Sequence, residues 1–304
     1  MSTASAIPGP AQCAVLARAL DEPLIGTAPV APRWVCLEIN GAWPRAIPEH
    51  PDPAVRALGE RAEESGWRLV LIRRPRRRPC PGDIGPGPSR VYLADTAPPQ
   101  PRTTGLTVPG PTELARLPLP AAGTDLPGTP VTDPLLLVCT HGRRDRCCAL
   151  EGRALAIAVA DGNPDVRPGV WECSHLGGHR FAPTALVLPT GYLYGRLDPG
   201  AAVDALKAAG HGEMQAALCR GRSTWTPAGQ VAELTVREAT GLRDAAALTV
   251  DVEPSGQVLV SARDGRRWAV DVRPSEQAGE RPPSCGARPE PFTPLRAVAL
   301  KSLA

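Results

Sequence analysis

Apolar runs of strand length alternate with amphipathic stretches along most of the chain, and near residue 246 the pattern turns to strict alternation. "RWVCLEIN" (33–40) predicts a strand. "PDPAVRALGERAEESG" (51–66) predicts a helix, with Pro51 and Pro53 near its start and Gly66 as its stop. "WRLVLIRRP" (67–75) and "SRVYLADT" (89–96) predict two further strands, so residues 1–95 read as a β-α-β-β unit preceded by a short helical stretch, "CAVLARALDEPL". The second and third strands flank a Pro/Gly/Arg loop, "RRPRRRPCPGDIGPGPS", which reads as solvated chain. Residues 96–133 are dense in Pro and Gly and read as a linker with one short helix.

A second α/β unit is expected over 134–235. "PLLLVCTH" is a strand, and "DRCCALEGRALAIAVADG" is a helix with Asp145 as N-cap and Gly162 as its stop. "VWECSH" is a strand, "TALVLPTGYLYGRL" is two strands about a Pro-Thr-Gly turn, and "DPGAAVDALKAAGH" is a helix capped by Asp198. The order is β-α-β-β-β-α. "TWTPAGQVAELTVREATGL" predicts one more helix. Residues 236–304 read as a β extension, in which "LTVDVEPSGQVLVSARDGRRWAVDVRP" forms three antiparallel strands. The fold class is therefore α/β, with two similar units possible and a small antiparallel sheet at the end.

Composition narrows the function classes. The net charge is +3, so no global field calls for nucleic acid or a membrane surface. No stretch approaches the roughly 18 apolar residues of a membrane span. The N-terminal stretch lacks a basic start followed by an apolar run, so a cytoplasmic protein is expected. Nine cysteines, irregularly spaced, point in a reducing compartment to buried thiols, metal ligands or redox groups rather than a disulfide framework.

Two windows concentrate the chemistry. "LLLVCTHGRRDRCC" (135–148) holds three cysteines and a histidine; "VWECSHLGGHRFAP" (170–183) holds a cysteine and two histidines. Cys139 ends a strand, while Cys147 and Cys148 open a helix, where free N–H groups and Arg143, Arg144 and Arg146 favour a thiolate. Cys147 lines up with Leu150, Ala154 and Ala158 and is expected to pack; Cys148 is expected to carry the chemistry. His175 and His179 flank Leu-Gly-Gly, which predicts a tight loop rather than a helix. Two thiolates and two imidazoles suit zinc or iron–sulfur. The His-x3-His pair fits a zinc site, whereas Cys139 and Cys148, eight residues apart between them, do not, and spacing leaves both metals open.

The strings "VCTHGRRDRCCALEGRAL" and "VWECSHLGGHRFAPTALVLPTGYLYGRL" resemble those of the sucrase/ferredoxin-like family, whose core domain is similar to the thioredoxin-like [2Fe–2S] ferredoxins. The resemblance runs from "CAVLARALDEPLIGTAP" to the "SCG" at Cys285 and is strongest over 134–225. It implies a thioredoxin-like ferredoxin domain whose [2Fe–2S] cluster is held by Cys139, Cys148, His175 and His179, with Cys147 a rival for Cys148 and Cys173 a spare thiol. An electron carrier more than an enzyme is expected, with a redox partner protein; Arg143, Arg144, Arg146 and Arg180 read either as a cationic rim for an acidic partner or as solvated loop charges. Zinc in the same four residues would make the protein an interaction module; a thiol–disulfide oxidoreductase is the third reading, disfavoured because vicinal cysteines form a strained bridge. No carboxylate pair stands in a recognisable glycosidase setting. Cys285, far in sequence from the site, is expected to be a buried thiol rather than a ligand.

Overall fold

A computed structural model describes residues 12–76, 88–253, 256–276 and 279–303. Most of the Arg/Pro/Gly loop, 77–87, including Cys80, lies outside the described residues. In the first unit, strand β1 (Arg33–Glu38) pairs in parallel with β2 (Arg68–Arg73) across helix α2 (Pro53–Glu64), the short α1 (Cys13–Ala19) having preceded them. Asp52 starts α2 by accepting a hydrogen bond from the Ala54 N–H at 2.8 Å, with Pro53 at the first helical position. Strands β3 (Ser89–Asp95) and β4 (Arg102–Val108) then add antiparallel beyond β1.

The second unit repeats this plan. β6 (Leu135–Cys139), which follows α3 (Pro111–Ala115) and the two-residue β5 (Thr129–Pro130), pairs in parallel with β7 (Val170–Cys173) across α4 (Arg153–Gly162). β8 (Ala185–Leu188) and β9 (Tyr192–Tyr194) add antiparallel beyond β6. The strand order β7-β6-β8-β9 thus matches β2-β1-β3-β4. The second strands of the two units, β2 and β7, pair antiparallel and fuse both into one ten-stranded sheet. β10 (Cys219–Arg222) closes one end after α5 (Pro199–Gly210). At the seam, Arg73 and the buried Glu172 form an ion pair at 2.7 Å, and Thr140 donates to the same carboxylate at 3.0 Å.

Alternation along the strands divides the core into layers. Leu136 and Val138 of β6 pack under α4 and α5; Leu135, Leu137 and Cys139 face the other side with Trp34, Cys36, Ile72, Trp171 and Cys173 from both units. Helix α6 (Pro227–Thr240) then packs on a separate antiparallel sheet of β11 (Leu248–Val252), β12 (Val258–Ala262), β13 (Arg267–Pro274) and β16 (Leu295–Leu303). Between the last two, a ribbon of β14 (Gly279–Arg281) and β15 (Glu290–Phe292) returns to α1. Among the described residues no helix is long and apolar enough to cross a membrane, and the eight described cysteines are all free thiols.

The chain is a mixed α/β protein, and the structure departs from the sequence reading in three places. The stretch read as a linker, 96–133, carries β4: its Pro and Gly punctuate "RTTGLTV", whose hydrogen-bonding edge is satisfied by β3 rather than by solvent. "CRGR" is a buried strand, β10, although three of its side chains are polar or absent; Arg220 and Arg222 are buried to 1% and 0% exposure through hydrogen bonds to carbonyl oxygens. The boundary read at 235/236 falls inside α6, which belongs with the C-terminal sheet.

Gly152 marks the tightest helix–strand contact: a Cβ there would lie 2.0 Å from the Cys139 carbonyl oxygen. Gly152→Ala is expected to lower the unfolding free energy by about 1–3 kcal/mol, the usual cost of overpacking a rigid contact, as read by urea denaturation.

Candidate metal centre

Because β6 and β7 run in parallel with Cys139 opposite Cys173, the loops that follow them leave the sheet at the same edge. The Thr140 N–H donates to the Cys173 carbonyl at 3.0 Å, carrying the pairing one residue further. The first loop then turns through 141–145 and enters its helix by a π-type turn, Cys148–Gly152. That turn rotates the residues ahead of α4 out of phase with it. Leu150 is 51% exposed and shares the exposed face with Ala154 and Ala158, while Leu155, Ala156, Val159 and Ala160 form the buried face. The expected alignment of Cys147 with Leu150 therefore does not hold. Both neighbouring cysteines are buried and point into different groups: Cys148 packs with Cys139 and Cys173, whereas Cys147 packs with Cys13, Ala14 and Cys285.

The second loop is anchored to the seam by Ser174, whose N–H donates to Leu71 O at 2.7 Å while its Oγ accepts from Leu71 N–H at 2.9 Å. Gly177 and Gly178 take φ of +90° and +70°, bending the chain so that the His175 and His179 rings lie 5.5 Å apart, centre to centre. A Cβ on Gly178 would fall 2.2 Å from the Arg220 guanidinium, which fills the space beneath the bend. His179 Nε2 lies 2.6 Å from the Pro283 carbonyl oxygen. A carbonyl accepts only, so Nε2 carries the proton and Nδ1 is left with its lone pair. The Nδ1 atoms of His175 and His179 are both buried without a hydrogen-bond partner among the described residues.

Cys139 interacts electrostatically with both Cys148 and His175, and the His179 ring stands beside that of His175, but the ligand atoms of these residues do not converge as closely as those of a single-ion site. Donation from Cys148 pulls the Cys139 thiol well below its ordinary pKa, with His175 assisting against burial, and the same contact holds Cys148 well above. Of the two thiols, Cys139 is the readier to ionise. Two arginines face its charge. Arg220 is fully buried and donates only to neutral oxygens, those of Thr27 and Gly177; burial brings its pKa down to about 9, opposed by the thiols of Cys148 and Cys139. Arg68 donates to His175 O at 3.1 Å and is likewise lowered by burial, with Cys139 and Cys173 opposing. Cys173 itself is held protonated by burial.

Other residues singled out in the sequence lie apart. His141 Nε2 is 2.9 Å from Pro44 O and its ring stands edge-on to Trp43, tying the loop to the first unit. Arg143, Arg144 and Arg146 are exposed, but Arg180 is not a rim residue: it pairs with the buried Glu22 at 2.6 Å and covers Phe181.

A second group, which sequence reasoning did not assemble, adjoins the first. Cys13, Asp145, Cys147 and Cys285 bring their ligand atoms within 4.8 Å of one another, a set that could hold a metal ion. Asp145 does serve as the expected cap, accepting from Cys147 N–H at 2.8 Å, but it also accepts from Cys285 N–H at 2.9 Å. Cys285, far away in sequence, is thus next to the site in space. Only its place in "SCG", beyond the last predicted strand, offered a sequence signal.

A family model described as sucrase/ferredoxin-like matches residues 24–221, and the chain belongs to that family. Comparison with the curated proteins and with the solved structures returns no match.

The lowered pKa of Cys139 gives a test of which cysteine faces it. In metal-free protein, Cys148→Ala is expected to raise the pKa of the most acidic thiol, because the donor to Cys139 is gone, while Cys147→Ala leaves it in place. Thiolate absorbance followed against pH reads both.

Proposed function

We propose that this member of the sucrase/ferredoxin-like family holds a [2Fe–2S] cluster on Cys139, Cys148, His175 and His179, in a thioredoxin-like unit running from β6 to α5, and works as a one-electron carrier. The observation that carries this reading is the donor set itself: two interacting thiols and two imidazoles whose buried Nδ1 atoms have no partner among the described residues, in loops at one sheet edge beside the buried Arg220 and the partly buried Arg68, which meet no carboxylate among the described residues. Buried polar atoms normally find partners, and a buried cation normally finds an anion. A [2Fe–2S] group on two thiolates and two neutral imidazoles would give the Nδ1 atoms their partners and, neutral when oxidised, would carry one negative charge when reduced for the arginines to face. The donors fit iron–sulfur chemistry, in which cysteine and histidine pairs can divide between two irons.

Bound there, the cluster would supply one reversible electron. The chain's own residues set the terms. Neutral imidazoles in place of two thiolates raise the potential relative to a four-cysteine site. Arg68 and Arg220 favour the more negative, reduced state and act in the same direction. The carbonyl of Pro283 fixes the His179 tautomer and ring plane. His175 borders an open cavity of about 180 Å³ whose lining includes Arg45, Arg68 and Arg144. That lining is a cationic approach suited to an acidic redox partner.

Anaerobically purified protein is expected to be red-brown, with about two irons and two labile sulfides per chain. His175→Ala and His179→Ala should each abolish the visible bands. A colourless protein whose zinc is bound by the Cys139/Cys148/His175/His179 set would overturn the carrier reading in favour of an interaction module. The potential supplies a second test. Oxidised iron withdraws more charge from an imidazole than reduced iron, so the oxidised form loses its ring proton first. The potential should then fall as pH rises above neutrality, by about 59 mV per pH unit for one proton. A flat potential across that range counts against histidine ligation.

A further inference from the structure

The second cysteine group has the dimensions of a tetrahedral zinc site. With Zn–S near 2.3 Å and Zn–O near 2.0 Å, tetrahedral geometry requires S···S edges of about 3.8 Å and S···O edges of about 3.5 Å. The three sulfurs stand at 3.3 Å (Cys147–Cys285), 3.6 Å (Cys13–Cys285) and 3.7 Å (Cys13–Cys147). Asp145 oxygens lie 3.5 and 3.6 Å from the Cys13 sulfur and 3.4 Å from that of Cys285. Three sulfurs nearly equidistant around a carboxylate suit a single ion better than a disulfide, which would single out one pair. They are also too close together to divide between two irons.

We propose that Cys13, Cys147, Cys285 and Asp145 bind one structural Zn²⁺, separate from the Cys139/Cys148/His175/His179 centre. Thiolates select a soft or borderline ion, and four protein ligands leave no open position for catalysis. Cys13, Cys147 and Asp145 are buried, and Cys285 is partly so. Asp145 is preset by two backbone N–H groups, and Arg180 lies near enough to Cys13 to offset part of the negative charge. The ligands come from α1, from the loop before α4, and from the turn between β14 and β15, so the ion would close a loop of 272 residues between Cys13 and Cys285. It would also hold the segment carrying Pro283 over His179. Adjacent cysteines in the sequence thereby serve different metals.

The test is metal analysis of the full-length holoprotein together with zinc K-edge absorption. The expected result is about one zinc per chain in a shell of three sulfurs and one oxygen, with no imidazole scattering. Cys13→Ser and Cys285→Ser should reduce zinc to near zero while the visible spectrum and iron remain. His175→Ala should do the reverse, so failure of the cluster reading and failure of this one are separable. A zinc shell containing imidazole overturns the proposal. So does protein that takes up no zinc from equimolar zinc chloride, or an intact mass showing a disulfide among the three cysteines. The absorption measurement on unmodified protein decides the matter even where a serine variant does not fold.

Discussion

Everything at the candidate centre depends on the parallel pairing of β6 with β7, in the register that sets Cys139 opposite Cys173. Parallel neighbours end at the same edge of a sheet, so the two loops that follow them are brought together whatever their sequences. Shifting that register by one residue would turn Cys139 to the face covered by α4 and α5. The crossover through α4 is equally constrained: Gly152 lets the helix start against the Cys139 carbonyl, and the π-type turn before it divides Cys147 from Cys148.

The first unit makes that edge stable. A parallel pair leaves β7 with an open side, which β2 fills by antiparallel pairing, so neither unit exposes that edge. The seam then reaches into the site. Ser174 continues the β2–β7 pairing, Arg68 of β2 donates to His175 O, and Pro44 binds His141. The C-terminal segment contributes from the other side through Pro283 and Cys285. A centre formed by one unit is thus enclosed by three parts of the chain.

The electrostatics are those of a place built for negative charge. Arg220 is removed from water and Arg68 partly so, yet among the described residues both donate to neutral oxygens, and the thiols are the groups that favour their charge. Desolvating an unpaired guanidinium costs several kcal/mol, a cost that an anionic group alongside offsets.

Local pattern determined much of this protein. Apolar runs, caps and turn residues marked most elements of both units, since strands and helices announce themselves by their own periodicity. The spacing of Cys139, Cys148, His175 and His179 is also a property of the string, and the Gly-Gly between the histidines required the tight loop that Gly177 and Gly178 make. What the sequence did not disclose depends on contacts between distant segments. β4 is a strand because β3 lies beside it, and "CRGR" is buried because carbonyls of other segments receive its arginines. Whether Cys147 or Cys148 faces Cys139 turns on a π-type turn that helical periodicity cannot anticipate. That Cys13 and Cys285 meet at Asp145 is decided only by tertiary structure, because a side chain records its own chemistry but not which distant part of the chain will fold against it.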